Sequence, residues 1–239
     1  MTELSLILPV HNEEDIIEPV YREIRLELEK LNISFECMLV ENGSSDGTLA
    51  TLEKLKKTYP HTHIIVAPKG YGSAVIAGLK KAQGKYVSYM PSDGQIDLSV
   101  FPMLWKETQK NIADVVKIRR ITRESWDRSL VSYIFSYFVS FVFGIPKTDV
   151  NGSPRILLNQ NVQKLNLQSM DSFIDTEFAV KAHLLGWKIK EISMKTLVRC
   201  GGVSTRSLNT YIEFLRNIIV YRMHTYPLVR QLYSSIKPI

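Results

Sequence analysis

Asp93 and Gln95 are two residues apart in the stretch VSYMPSDGQID, where an apolar alternating run turns abruptly polar at Pro91. On an extended chain Pro91, Asp93 and Gln95 share a face. A carboxylate and an amide oxygen so placed can both serve a hard cation such as Mg²⁺ or Mn²⁺, with substrate phosphates completing its shell. The same aspartate could instead cap a helix starting near residue 98. Three other polar stretches carry comparable chemistry. PVHNEED offers Asn12 and Glu13, as donor-site groups or as a helix cap followed by helpful acids. VENGSSDGT offers Glu41 and Asn42, a carboxylate beside an amide that could meet the hydrogen-bonding edge of a nucleobase or simply make a turn capped by Asp46. KGYGSAVIAG places Gly70, Gly72 and Lys69 at a helix mouth. Val75 follows Gly72 where a dinucleotide fingerprint needs glycine, but a phosphate would still suit such a start.

These stretches need elements to hold them. Each follows a run that reads as a strand, LSLILPV, FECMLVE, THIIVAP or KYVSYM. Helices are expected over 12–30, 47–58, 72–83 and 98–110, and a fifth strand at ADVVKI. Short strands alternating with longer helices make an α/β fold with a mostly parallel sheet. Ligands bind at the carboxyl ends of such strands, so the polar stretches converge on one edge.

Beyond residue 118 the pattern changes. KIRRITRESWDR carries five bases against two acids and leads into seventeen uncharged residues, SLVSYIFSYFVSFVFGI. Ser129, Ser132, Ser136 and Ser140 line one face of this helix, expected over about 126–145. It is short of the roughly 20 apolar residues of a membrane span, which leaves a buried core helix or one lying in a membrane surface. A helix over DTEFAVKAHLLGW, a strand at KIKEISM and a Gly-rich basic loop, VRCGGVSTR, follow. The expected division is a domain over 1–206 and an amphipathic basic helix and tail over 207–239, where Arg216, Arg222, Arg230 and Lys237 face Glu213.

The 239 residues, 45% hydrophobic, suffice for a sizeable core. Cys37 and Cys200 are far apart and form no CxxC pair, so nothing suggests a zinc site or disulfide framework, and Cys37 sits in a buried-strand pattern. The acidic start MTELSLILPV lacks a signal peptide's basic region, so a cytoplasmic location is expected. The net charge of +6 suits nucleic acid, acidic membrane or phosphorylated molecules. Because the bases lie beside apolar helices rather than among stacking aromatics, nucleic acid is disfavoured.

Taken together, LPVHNE, VENGSSDGT, KGYGSAVIAGLKKAQGKYV and PSDGQID closely resemble family 2 glycosyltransferases of the GT-A fold, in particular the polyprenyl-phosphate sugar transferases typified by dolichyl-phosphate mannose synthases. The resemblance implies a nucleotide held by Pro9, His11, Glu13, Glu41 and Asn42. The usual Asp-x-Asp-x-Gln metal signature becomes Pro91-Ser92-Asp93-Gly94-Gln95, with Asp93 and Gln95 as metal ligands and Ser92, Lys69 and Gly72 among the donor contacts. It further implies an acceptor phosphate met by Arg120, Arg128 and Ser132, and a basic loop over the donor diphosphate carrying Arg199, Ser204 and Arg206. DVNGSPR resembles the family's Asp-x-x-Ser-Gly-Phe-Arg stretch, with Pro154 in place of the aromatic.

The expected activity is inverting transfer of a hexose from a GDP-mannose or UDP-glucose type donor to a polyprenyl phosphate, on the cytoplasmic face of a membrane, with a divalent cation. A phosphate acceptor is already an anion and needs no protein base, whereas a hydroxyl acceptor would call on Asp175 or Glu177. The departures at Pro91, Glu41 and Asn42 keep a non-catalytic binding protein as a further alternative, and a membrane-anchoring partner or homo-oligomer stays open.

Overall fold

The computed structural model describes residues 1–122, 126–195, 197 and 208–234; of 122, 126–133 and 208–213 it describes the backbone alone. The elements in chain order are β1 (Leu4–Val10), α1 (Ile17–Glu29), β2 (Phe35–Glu41), α2 (Thr48–Thr58), β3 (Thr62–Val66), α3 (Tyr71–Lys81) and β4 (Tyr86–Tyr89). A 3₁₀ turn (Leu98–Val100) then leads into α4 (Phe101–Gln109), β5 (Val115–Thr122), α5 (Trp126–Phe143), β6 (Arg155–Leu158) and α6 (Asn159–Leu165). The chain continues through α7 (Ile174–Leu184), β7 (Ile189–Lys195) and α8 (Leu208–Val220), then a π turn (Tyr221–Thr225) and α9 (Tyr226–Ser234).

The described strands form one sheet in the order β3-β2-β1-β4-β6-β5-β7. β1 pairs in parallel with β2 and β4, and β5 with β7, while β6 runs antiparallel to both its neighbours. β6 is absent from the sequence expectations: RILL is four residues long and passes directly into α6, too short for a period to show.

Alternation of side chains along each strand feeds a core on either face of the sheet. Leu4, Leu6, Leu8 and Val10 of β1 meet Tyr21, Ile24 and Leu28 of α1 and Phe101 and Leu104 of α4. Ile7, Met38, Val40 and Tyr89 meet Ala74, Val75 and Leu79 of α3 and Ile174 and Phe178 of α7. Cys37 is fully buried, as its pattern implies. A third cluster joins Val139 and Phe143 of α5 to Phe173, to Val180 of α7, to Ile218 of α8 and to Tyr221 and Tyr226.

The chain runs outward from β1 to β2 and β3, then crosses back to place β4 on the other side of β1. The reversal lies between β1 and β4, so the crevice that doubly wound sheets use for ligands opens where Pro9–Glu13 and Pro91–Gln95 emerge.

One helix differs from expectation. α1 starts at Ile17 rather than Asn12, and its first turn has no side-chain cap. In α5 Ser136, Val139 and Phe143 are buried, while Ile134, Tyr137 and Phe141 are exposed.

Candidate active site

The loops after β1, β2 and β4 are stitched to one another. Asn12, at φ 52°, donates its backbone N–H to Ser44 Oγ (3.1 Å), and its Oδ1 accepts from Ser45 N (2.8 Å). Glu13 N donates to Thr48 Oγ1 (2.9 Å), and Gly47 N donates to Glu14 Oε2 (2.8 Å). Asn12 is therefore a staple between two loops instead of the helix cap. Ser92 Oγ lies 2.6 Å from the Pro9 carbonyl and 2.5 Å from Glu13 Oε2, tying the Asp93 turn to β1.

Several expected donor contacts have other duties. Glu41 is buried and its Oε1 accepts from Ser44 N (2.5 Å), so it closes its own turn. Ser92 and Pro9 are buried pins. Gly72 does not leave a phosphate cradle open: a Cβ there would lie 2.1 Å from Ser169 O, and Ser73 N already donates to Met170 O (2.9 Å). The glycine permits the 169–171 segment to lie against the start of α3. Lys69 is exposed and leans over Gly43, beside the second loop.

Other expected groups keep unmet polar capacity. His11 Nδ1 and Asn42 Oδ1 are buried with no hydrogen-bond partner among protein atoms. A ligand that enters between the first two loops could meet both. Asp93 and Gln95 are partly exposed, and Asp93 Oδ1 accepts from Gln95 N (3.2 Å), which fixes the carboxylate in the turn. Leu197 N donates to Gln95 O (3.1 Å), so the chain two residues before Arg199 passes directly over the Asp93 turn. Arg199, Ser204 and Arg206 lie outside the described residues, as do the side chains of Arg128 and Ser132.

Arg120 differs from the expectation of a guanidinium offered to an acceptor. Its Nε and Nη2 grip Asp149 at 2.8 and 2.6 Å, and its backbone N adds a third bond (2.9 Å). Burial works against the Asp149 carboxylate, but the Arg120 guanidinium outweighs it and holds the group well below the usual range. Nearby, Lys117 Nζ donates to the Asp149 carbonyl and lies 3.5 Å from Glu191. Burial, reinforced by the charge of Arg155, lowers the Lys117 ammonium to about 8.

The two candidate bases are also committed. Glu177 is 1% exposed, pairs with Lys181 (2.6 Å) and accepts from Gln168 N and Ser169 N (3.0 and 2.8 Å). Asp175 is buried between Arg155 Nη2 (2.9 Å) and the Tyr89 hydroxyl (3.3 Å). Burial, then the Asp175 carboxylate, pushes the Tyr71 phenol well up, with Asp93 a smaller contributor. Sequence reasoning singled out none of Arg155, Tyr89, Tyr71 or Ser153. The resemblance of DVNGSPR was the available signal for Arg155.

Residues 5–161, from β1 into α6, match the model of glycosyl transferase family 2. The chain belongs to that family. Among family relatives, the putative glycosyltransferase CsbB of Bacillus subtilis is 24% identical over 98% of this chain and 70% of its own length. The undecaprenyl-phosphate 4-deoxy-4-formamido-L-arabinose transferase of Sodalis glossinidius is 27% identical over 59% of this chain, which spans 44% of that enzyme. Glucosyl-3-phosphoglycerate synthase from Mycobacterium tuberculosis, solved with Mn²⁺, UDP and glucosyl-3-phosphoglycerate, superposes with a TM-score of 0.70 over 92% of this chain and 80% of its own, at 18% identity. TarS of Staphylococcus aureus gives 0.58 over 92% and 65%, at 20% identity. The family 2 chain is thus a glycosyltransferase of GT-A architecture.

Its residues can be tested against the divalent cation bound in the mycobacterial structure. Among the described residues no three His, Cys, Asp or Glu side chains gather into a cluster. A hard cation held mostly by substrate phosphates needs only one or two protein carboxylates. Asp93, partly exposed at the switch point with Gln95 beside it, fits that mode and would not form a cage of protein ligands.

Proposed function

We propose that this glycosyltransferase moves a hexose from a nucleoside diphosphate sugar to a polyprenyl phosphate at a membrane surface, with inversion. The observation that carries the acceptor class is the commitment of Glu177 and Asp175 to buried partners. No base for deprotonating a hydroxyl is on offer from α7, whereas a phosphate monoester attacks as the anion it already is. The relative from Sodalis, named for undecaprenyl phosphate, supports the same class.

A membrane-surface site finds support in the α5–α8 layer. Ile134, Tyr137 and Phe141 recur at helical spacing on the open side of α5, and Leu215, Ile219 and Met223 do so along α8 and the π turn. The edge-to-face pair Phe135–Phe214, with centroids 4.7 Å apart, joins the two helices from within. Arg216, Arg222 and Arg230 are exposed on the C-terminal helices, suiting anionic headgroups. No described helix is long and apolar enough to cross a membrane.

On this reading His11 and Asn42 meet the nucleoside, Asp93 with Gln95 anchors the cation and diphosphate, and the chain after Leu197 brings Arg199, Ser204 and Arg206 to the leaving group. On the same reading Arg128 and Ser132 would meet the acceptor phosphate, with Arg120 and Asp149 shaping that side. When bound, the cation neutralises charge developing on the departing nucleotide. The test incubates the protein with labelled nucleotide sugars and a short-chain polyprenyl phosphate. Label in the organic phase, released by mild acid, is expected. Transfer to a polyprenol but not to its phosphate would overturn the acceptor class.

A further inference from the structure

We infer that Arg155 is a positioning residue for Asp93, acting through Tyr89 at the end of β4. The inference rests on the donor reading above. Arg155 is 0% exposed, so it touches no substrate. Nη2 bonds to Asp175 Oδ1 (2.9 Å) and to the Val150 carbonyl (3.3 Å), whereas Nε and Nη1 have no protein partner. A buried guanidinium with two unmet donors is a poor way to fill a core, since an apolar side chain of similar volume packs there without desolvating a charge. What the guanidinium adds is a clamp. It lies 4.8 Å from the ring centroids of both Tyr89 and Phe178.

Tyr89 is held on further sides. Its hydroxyl donates to Asp175 (3.3 Å), the carboxylate that Arg155 grips, and its carbonyl accepts from Ser153 Oγ (2.7 Å). Arg155 also faces Tyr89 across β6 and β4 and Lys117 across β6 and β5, so it ties the two parallel halves of the sheet together at the row where β4 ends. From Tyr89 the chain has four residues to reach Asp93. On the way Met90 N bonds to Ile7 O (3.2 Å), and Ser92 bonds to Pro9. The direction in which the turn leaves β4 is therefore set by the Arg155 clamp, and its far end by Ser92. The turn offers one carboxylate and the Gln95 amide, so the place of the cation follows that of Asp93. Loss of a group that orients a metal ligand typically costs about 10–100-fold in metal affinity.

The experiment titrates the full chain calorimetrically with UDP and with GDP, each with and without Mn²⁺, and repeats this for Arg155→Met, Tyr89→Phe and Ser153→Ala. Arg155→Met should cut the Mn²⁺-dependent gain in affinity about tenfold or more while metal-free affinity moves less than about twofold, as for groups behind a metal ligand. Tyr89→Phe and Ser153→Ala should lower the same gain to a smaller extent, with native circular dichroism. Should Arg155→Met fail to fold, those two variants decide. Metal-free and metal-dependent affinities falling together in folded variants, or a gain untouched by all three, overturns the inference and leaves the donor reading standing. A wild-type protein that binds neither nucleotide overturns both, and one that binds without any response to Mn²⁺ overturns the positioning role.

Discussion

Glu177 and Lys117 show how a side chain's neighbours decide its work. By type and spacing Glu177 suits a general base, but its carboxylate holds Lys181 and the N–H groups of Gln168 and Ser169 in the interior. Glu177→Ala leaves the buried Lys181 without its carboxylate and should cost about 3–5 kcal/mol, read as a lowered melting temperature, while turnover per folded molecule in the cold persists. Loss of turnover with an unchanged melting temperature would restore the catalytic role. Lys117 makes a pH prediction. Its folded value of about 8 lies below the ordinary 10.5, so between these pH values the unfolded chain holds a proton that the folded one has released. Stability from this group therefore rises with pH across that window. Relative to Lys117→Met, the wild type should gain up to roughly 3 kcal/mol between pH 8 and 10.5 in urea unfolding; the difference cancels the tyrosines that titrate in both proteins.

At the scale of elements, the glycine-rich start of α3 is a packing device. Gly72→Ala would push a methyl against the Ser169 carbonyl and should destabilise the fold by about 1–3 kcal/mol. Urea unfolding checks this, and an unchanged midpoint with weakened nucleotide binding would return Gly72 to the donor site. The strand and helix alternation from residue 4 to 109 was legible because each element carries its own period. The loops after β1 and β2 were legible as chemistry but not as structure. Asn12 and Ser45 are far apart in sequence, and nothing local announces that one bonds the other. β6 was hidden for a related reason: its strand character comes from β4 and β5 on either side, not from four residues of its own.

For the whole molecule, the apolar side of the α5–α8 layer makes the membrane reading testable. Phe141 and Met223 are 79% and 66% exposed, so Phe141→Glu with Met223→Glu should leave stability nearly unchanged. Flotation with anionic vesicles should be lost in this double variant and retained in Met103→Glu, which alters an exposed apolar residue on α4. Binding by the wild type should weaken as salt screens the exposed arginines. Equal flotation of all three proteins would remove the membrane from the proposed function.

The sequence by itself determined the α/β alternation, the family, and the arrival of Asp93 at a strand end, because apolar periodicity and turn chemistry act over a few residues. Only the tertiary structure decided that Glu41, Ser92, Arg120, Asp175 and Glu177 are held by partners and that Ser136 of α5 is buried. It alone placed a fully buried arginine behind the Asp93 turn. Those outcomes depend on desolvation and on pairs distant along the chain, which become defined when the sheet closes and its helices pack.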